Sequence, residues 1–336
     1  MALYFGSEFL NSPPPIETTR PFQDGVENYA TLTKHRDTYS FIDPWRFCNA
    51  LTGKIVLITQ AHRGVGRSTA LAFARAGASV CCVGPTPDSL EPLLREIKQT
   101  FNTPTLALTA DLLAPGAPAQ VVKLVELHRG PVDILINITP ASYARSFDTE
   151  PDITQDWWPT MESGVRVPVA LTHAVLPSMI ARGSGIIIST TLIGGVVHIP
   201  FMSAQGTAKA ALLKFHHHLH LETAKKGILS FAVHPGLIPS HLHDPGISFL
   251  ERPEHIGQDP EFRQVVADLV REWEWCSAGL ASGTFLTLCA EPRARILSGL
   301  YVNAERDMEE LLTKIEADWG DQVKRERLYH LKVDEY

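Results

Sequence analysis

The chain has no run of basic residues. Its 30 lysines and arginines are scattered among 37 acidic residues, for a formal net charge of −7 at pH 7. A nucleic acid or an anionic membrane recruits protein through clustered positive charge, so neither is an expected partner. Cysteine is scarce and odd in number, with five residues, Cys48, Cys81, Cys82, Cys276 and Cys289. Cys81 and Cys82 adjoin in an apolar run that reads as a buried strand, which argues against a disulfide framework and for a reducing compartment. No stretch reaches the roughly 18 consecutive apolar residues of a membrane span. Residues 1–15 carry Glu8 and prolines where a secretory leader has a basic start and an apolar core, so a cytoplasmic location is expected. No internal repeat at a period of about 20–50 residues and no low-complexity tract occurs, which removes solenoids and propellers. His241 and His243 with Asp244 lack a further clustered ligand, and no metal is expected.

What is present is a regular alternation. The composition, 44% hydrophobic and 20% charged, suits one large α/β core. Apolar runs of strand length fall at 54–60, 79–84, 104–110, 132–137, 185–190, 229–234 and 298–302, with segments of helical period between most of them. This predicts a Rossmann-like, doubly wound, seven-stranded parallel sheet in a single domain. Residues 1–50 have no clear period and read as an irregular N-terminal arm wrapping the domain; 51–315 form the domain and 316–336 a C-terminal tail. The stretch 237–285, carrying His241, His243, Trp273 and Trp275, is too long for a simple crossover. Ligands bind such sheets at the carboxyl ends of the strands, so it is read as a lid over the substrate.

The first strand runs into Thr59-Gln60-Ala61-His62-Arg63-Gly64-Val65-Gly66, followed by a helix from about Arg67. The later phrases Val233-His234-Pro235-Gly236 and Ser298-Gly299-Leu300-Tyr301 and the arm's Asp37-Thr38-Tyr39 complete the pattern. Over about residues 45–315 the chain resembles the short-chain dehydrogenase/reductase family, in a fungal-type branch. In that family the glycine turn lets the backbone approach a dinucleotide whose pyrophosphate faces a helix N-terminus. The resemblance makes Thr59, Arg63, Gly64, Gly66, Asp111, Asn137, Lys209 and Ser240 the cofactor-binding candidates. Arg63 and the lack of an acidic residue after the second strand favour NADP over NAD. Gln60 replaces the first glycine, and Asn137-Ile138-Thr139-Pro140 stands where the family has N-N-A-G. Both changes weaken the cofactor site.

The family's proton-donating tyrosine, in Y-x-x-x-K, falls on Gln205 of Gln205-Gly206-Thr207-Ala208-Lys209. Its serine falls on Leu192, with Thr191 one residue off, and its asparagine on Gly164. Only Lys209 remains. A glutamine amide has no proton to give near neutral pH. The expectation is therefore a repurposed enzyme of secondary metabolism, acting without redox change on a bulky apolar metabolite by cyclisation, isomerisation, dehydration or an aldol-type reaction. Gln205, Lys209, His198 and Thr191 are its catalytic candidates. His198 lies on the loop that borders substrate in this family and is the replacement acid or base. Arg145, Trp157, Trp158, Trp273 and Trp275 are candidate pocket walls. One alternative is an NADP-dependent reductase acting on an activated substrate such as an iminium ion; another is a silent partner of an active homologue. The run His216-His217-His218-Leu219-His220 reads as a helix surface or subunit interface, and the resemblance implies a homodimer or homotetramer.

Overall fold

The computed structural model describes residues 32–139, 145–199, 201–238 and 274–317. Its centre is a sheet of seven parallel strands: β1 (Ile55–Ile58), β2 (Ser79–Gly84), β3 (Thr105–Thr109), β4 (Ile134–Asn137), β5 (Gly185–Thr190), β6 (Ile228–His234) and β7 (Tyr301–Asn303). Their spatial order is β3-β2-β1-β4-β5-β6-β7. The chain winds outward from β1 to β3, then returns to β4 on the other side. That reversal leaves a crevice beyond the carboxyl ends of β1 and β4.

Strand residues alternate between two cores, as a sheet covered on both faces requires. Val56, Ile58, Val80, Cys82 and Ile136 face α1 (Gly64–Arg75) and α7 (Ala278–Ala290). Leu57, Cys81, Val83 and Leu135 face α3 (Ala117–His128) and α5 (Val167–Arg182). Outer helices α2 (Pro87–Thr100) and α8 (Met308–Ala317), the short α4 (Trp157–Met161) and the long α6 (Ser203–Thr223) complete the layers. The predicted architecture is present, with β7 displaced a few residues from the expected 298–302.

From α4 to α5 the chain is continuously helical, and one turn, Glu162–Arg166, widens to a π-helix. Pro168 has no N–H to donate to the carbonyl four residues back, that of Gly164, so the α ladder is broken there. Trp157–Arg182 is long and apolar enough to cross a membrane by length and composition. Here Val167, Leu171, Val175 and Met179 are buried in the core beneath the sheet.

Three sequence expectations change. The arm is part of the core from residue 32 onward, since Leu32, Phe41, Ile42 and Phe47 are buried in it; residues 1–31 lie outside the described residues. The end of the stretch 237–285, expected to be a lid, is instead helix α7, which begins at Ala278 and is buried against α1; residues 239–273, with His241, His243, Asp244 and Trp273, lie outside the described residues. The histidine run is not all surface. His216 is fully buried and its Nδ1 is 2.6 Å from the Ser230 hydroxyl, while His220 Nδ1 is 2.9 Å from that of Ser298. The two are one helical turn apart and face β6 and the turn before β7, so the core takes one face of the run.

Candidate active site

A cavity of about 360 Å³ fills the crevice at the strand ends. Thr59, Gln60, Gly84, Asp111, Asn137 and Thr139 line it from β1 to β4, and Val167 and Pro168 close it from α5. The glycine turn keeps its shape despite the glutamine. Gln60 has φ +51°, the left-handed backbone that glycine adopts freely. Gly66 is irreplaceable, because a Cβ there would sit 2.1 Å from the Gln60 carbonyl oxygen. Gly64, at φ +50°, opens onto empty space, and exposed Arg63 caps the start of α1. Beside them, burial and then the Arg63 charge hold the His62 imidazole below its ordinary range.

The strand ends are tied together by hydroxyls. Thr59 Oγ1 donates to the Ile138 carbonyl at 2.9 Å and accepts from the Ile138 N–H at 2.8 Å. Asn137, buried, donates through Nδ2 to Ser189 Oγ at 3.1 Å, while its Oδ1 has no partner among the described residues. Asp111 is exposed on the cavity rim, its Oδ1 accepting from the Leu113 N–H at 2.9 Å.

The catalytic candidates divide. Gln205 and Lys209 are both buried, at 4% and 6% exposure, one turn apart on α6. Thr191 is buried beyond the end of β5; its N–H donates to the Val233 carbonyl at 2.7 Å, and its Oγ1 has no partner among the described residues. His198 is exposed on its loop. Ser240 lies outside the described residues. Gly164, in the π turn, packs so closely that a Cβ would stand 2.9 Å from the Cβ of Ala208, next to Lys209. An asparagine there has no room unless α6 moves away.

Sequence reasoning passed over Thr139 and Thr190. Lys209 Nζ donates to Thr139 Oγ1 and, at 3.4 Å, to the Thr190 carbonyl. Thr139 is pinned in turn, its N–H donating to Thr190 Oγ1 at 2.9 Å. Buried, and with no charged partner among the described residues, the Lys209 amine is pulled down to about 7 by desolvation. An amine so placed exchanges protons at neutral pH, which an ordinary lysine does not.

Of the aromatic wall, Trp157 and Trp158 meet edge to face at 5.0 Å, and Trp157 Nε1 donates to Ser203 Oγ at 3.2 Å, tying α4 to the start of α6. Arg145 is paired with Glu150 at 3.3 Å, and Trp275 is exposed.

Comparison with known proteins agrees with this geometry. The family model for short chain dehydrogenases matches residues 54–246. A short chain dehydrogenase of Pseudocercospora fijiensis is 34% identical over 88% of this chain and 94% of its own length. Short chain dehydrogenase pigC of Monascus ruber is 29% identical over 94% of this chain and all of its own. The crystal structure of L-sorbose reductase from Gluconobacter frateurii, complexed with NADPH and L-sorbose, superposes with a TM-score of 0.65 at 27% identity, covering 77% of this chain and 97% of that one. The chain therefore belongs to the short-chain dehydrogenase/reductase family, within a group of fungal type.

Proposed function

We propose that this protein is a repurposed member of its family that catalyses a non-redox step of secondary metabolism, a cyclisation, isomerisation, dehydration or aldol-type reaction, on a bulky, largely apolar metabolite. The observation that carries the reading is the buried Gln205 one turn before Lys209, at the position of the family's proton-donating tyrosine. Its amide can hold a carbonyl oxygen by a hydrogen bond but cannot protonate it. Leu192 and Gly164 supply no polar side chain at the serine and asparagine positions. Orientation and electrostatic stabilisation remain available to such a site; coupled proton and hydride delivery by the family's own residues does not.

The test is to incubate the purified chain with a panel of hydroxylated aromatic ketones, with and without NADPH, and to weigh the products. Products of unchanged mass, or short by one water, formed without NADPH are expected. Products heavier by two hydrogens, appearing only with NADPH, would refute the reading. Gln205→Ala should lower kcat/KM for the converted ketone at least about 10-fold, the loss of one orienting hydrogen bond to a polarised oxygen.

The reading leaves room for a bound dinucleotide. Left-handed Gln60, the open space before Gly64 and the unpartnered Asn137 Oδ1 all fit one. Thr59, Arg63, Gly64, Gly66, Asp111, Asn137 and Lys209 would hold NADP, which when bound supplies a nicotinamide hydride. This fit favours a second reading, reduction of a substrate activated in itself, such as an iminium ion. Gln60 is then the obstacle, since it lines the cavity and carries a side chain where the family has glycine. Gln60→Gly removes about 1 kcal/mol of left-handed strain and adds a similar loss of chain entropy, so stability should barely change. NADPH affinity should rise at least about 10-fold by calorimetric titration, the worth of about 1.4 kcal/mol of relieved crowding. Unchanged affinity would clear Gln60 of blocking the cleft.

A further inference from the structure

We infer that Thr139 and Lys209 form a proton-relay pair, in which the Thr139 hydroxyl exchanges protons with a hydroxyl or enol oxygen of a carbonyl-containing substrate in the cavity and passes them to and from the Lys209 amine. The inference deepens the non-redox reading and rests on it for the class of reaction.

Three placements carry it. Thr139 is half-buried and lines the cavity, so its hydroxyl can meet a ligand. Lys209 does not line the cavity; it lies behind, donating to Thr139 Oγ1 and to the Thr190 carbonyl. Thr139 is held for the task, because its N–H donates to Thr190 Oγ1 at 2.9 Å and its hydroxyl lies 3.2 Å from the Thr190 carbonyl and 3.1 Å from Thr190 Oγ1. A nucleophile or acid within hydrogen-bond reach of a base, the base fixed by a third group, is the arrangement that activates hydroxyls in enzymes generally. The surroundings set the amine to work at neutral pH. Among the described residues, the elements packed on Lys209 present Thr139, Thr190, Gly195 of the following turn, Ala208 and Gln205 of its own helix, none of them charged. Desolvation alone brings the amine to about 7.

A hydroxyl relay moves protons between oxygens and nitrogens readily and from carbon poorly. That selects the chemistry. The substrate O–H proton passes to Thr139 Oγ1 as the Thr139 proton passes to Lys209 Nζ. The freed substrate oxygen forms a C–O bond to the far carbon of a conjugated ketone within the same molecule, and the alkene electrons move to the carbonyl oxygen as an enolate. The lysyl ammonium returns its proton through Thr139 to the enolate oxygen, and the enol becomes the ketone in solvent. One O–H bond and one π bond are lost, one C–O and one C–H bond are gained, and no electrons leave the substrate. The product is an isomer.

The experiment uses 2′-hydroxychalcone, a bulky phenolic enone whose ring closure is followed by loss of its visible absorbance, with the full chain and no nicotinamide. Closure should exceed the buffer rate and rise with pH along one ionisation near 7. Thr139→Val and Lys209→Met should each lose at least about 100-fold, within the range for a lost acid–base group, while Thr139→Ser keeps the rate within about 10-fold. A second readout needs no substrate. In protein labelled with ¹³C at the lysine ε-carbon, the resonance missing from Lys209→Met should titrate near 7, and lower still in Thr139→Val, where the ammonium has lost an acceptor; Thr139→Ser should restore it. Closure no faster than buffer, a full rate in Thr139→Val, or a Lys209 titration that ignores Thr139→Val would each overturn the relay. Failure of the non-redox reading looks different. NADPH-dependent reduction of the ketone would refute that reading, and the relay would survive it only if Thr139→Val slowed the reduction and shifted its pH profile.

Discussion

Lys209→Met should melt higher than the wild type while losing turnover. The side chain is 6% exposed, bonded to the Thr139 hydroxyl and the Thr190 carbonyl, and faces no carboxylate among the described residues. Its ordinary value is 10.5 and burial brings it to about 7, a shift worth about 5 kcal/mol at most. The sign follows from the order of proton release. Below pH 7 both folded and unfolded chains hold the proton, and the folded chain bears the whole cost of burying the charge. Between about pH 7 and 10.5 the folded chain has released it and the unfolded chain has not, so stability rises with pH through that window. Methionine removes the cost and gives up two hydrogen bonds of about 1 kcal/mol each. The net gain at pH 7 should be about 1–3 kcal/mol, as when other buried charges are replaced by apolar groups. At roughly 2–4 °C per kcal/mol the Tm rises by several degrees. The gain should shrink by about 1.4 kcal/mol per pH unit and change sign between about pH 8 and 9, because by pH 10.5 only the lost hydrogen bonds remain. A variant that melts lower at pH 7, or differs from wild type equally at every pH, would show that the amine is not the stored cost described here. Loss of activity in a stabilised protein separates function from folding without a second control.

The sheet was legible because its inner strands, buried on both faces, are largely apolar runs; the edge strand β3, with two exposed residues, shows the rule less clearly. Β7 slipped from the reading because Ser298-Gly299-Leu300 is apolar enough to continue a strand, yet Gly299 turns at φ +87° and its N–H is spent on the Ser230 carbonyl. Gln205 and Lys209 were legible because their spacing is set by one helix turn. Thr139 was not, because its meeting with Lys209 needs the ends of β4 and β5 side by side beneath α6, a relation no local spacing encodes. The one signal was chemical, a threonine where the family's motif has alanine. His216 could have been found. Leu212, His216, Leu219 and Thr223 form a buried stripe at helical spacing, and the neighbouring histidines hid it.

That buried histidine should govern acid unfolding. His216 is fully enclosed, shares a hydrogen with Ser230 Oγ at 2.6 Å, and leaves Nε2 unpartnered among the described residues. Burial pushes it down to about 3 from an ordinary 6.5. Above pH 6.5 both states are neutral and the full stability is present. As pH falls from 6.5 toward 3 the unfolded chain takes a proton that the folded chain refuses, and stability drops by about 1.4 kcal/mol per pH unit, about 5 kcal/mol in all. His216→Gln keeps a polar partner for Ser230 and cannot titrate. It should cost about 1–2 kcal/mol at pH 7.5, where a less well-filled site is the only change. Its stability curve should then fall less steeply on acidification and cross the wild-type curve between about pH 6 and 4. Every other contact of the fold is common to both proteins and cancels in the difference. Denaturant titrations across that range would read it directly. Parallel curves, with no crossing, would place the proton uptake of acid unfolding elsewhere in the molecule.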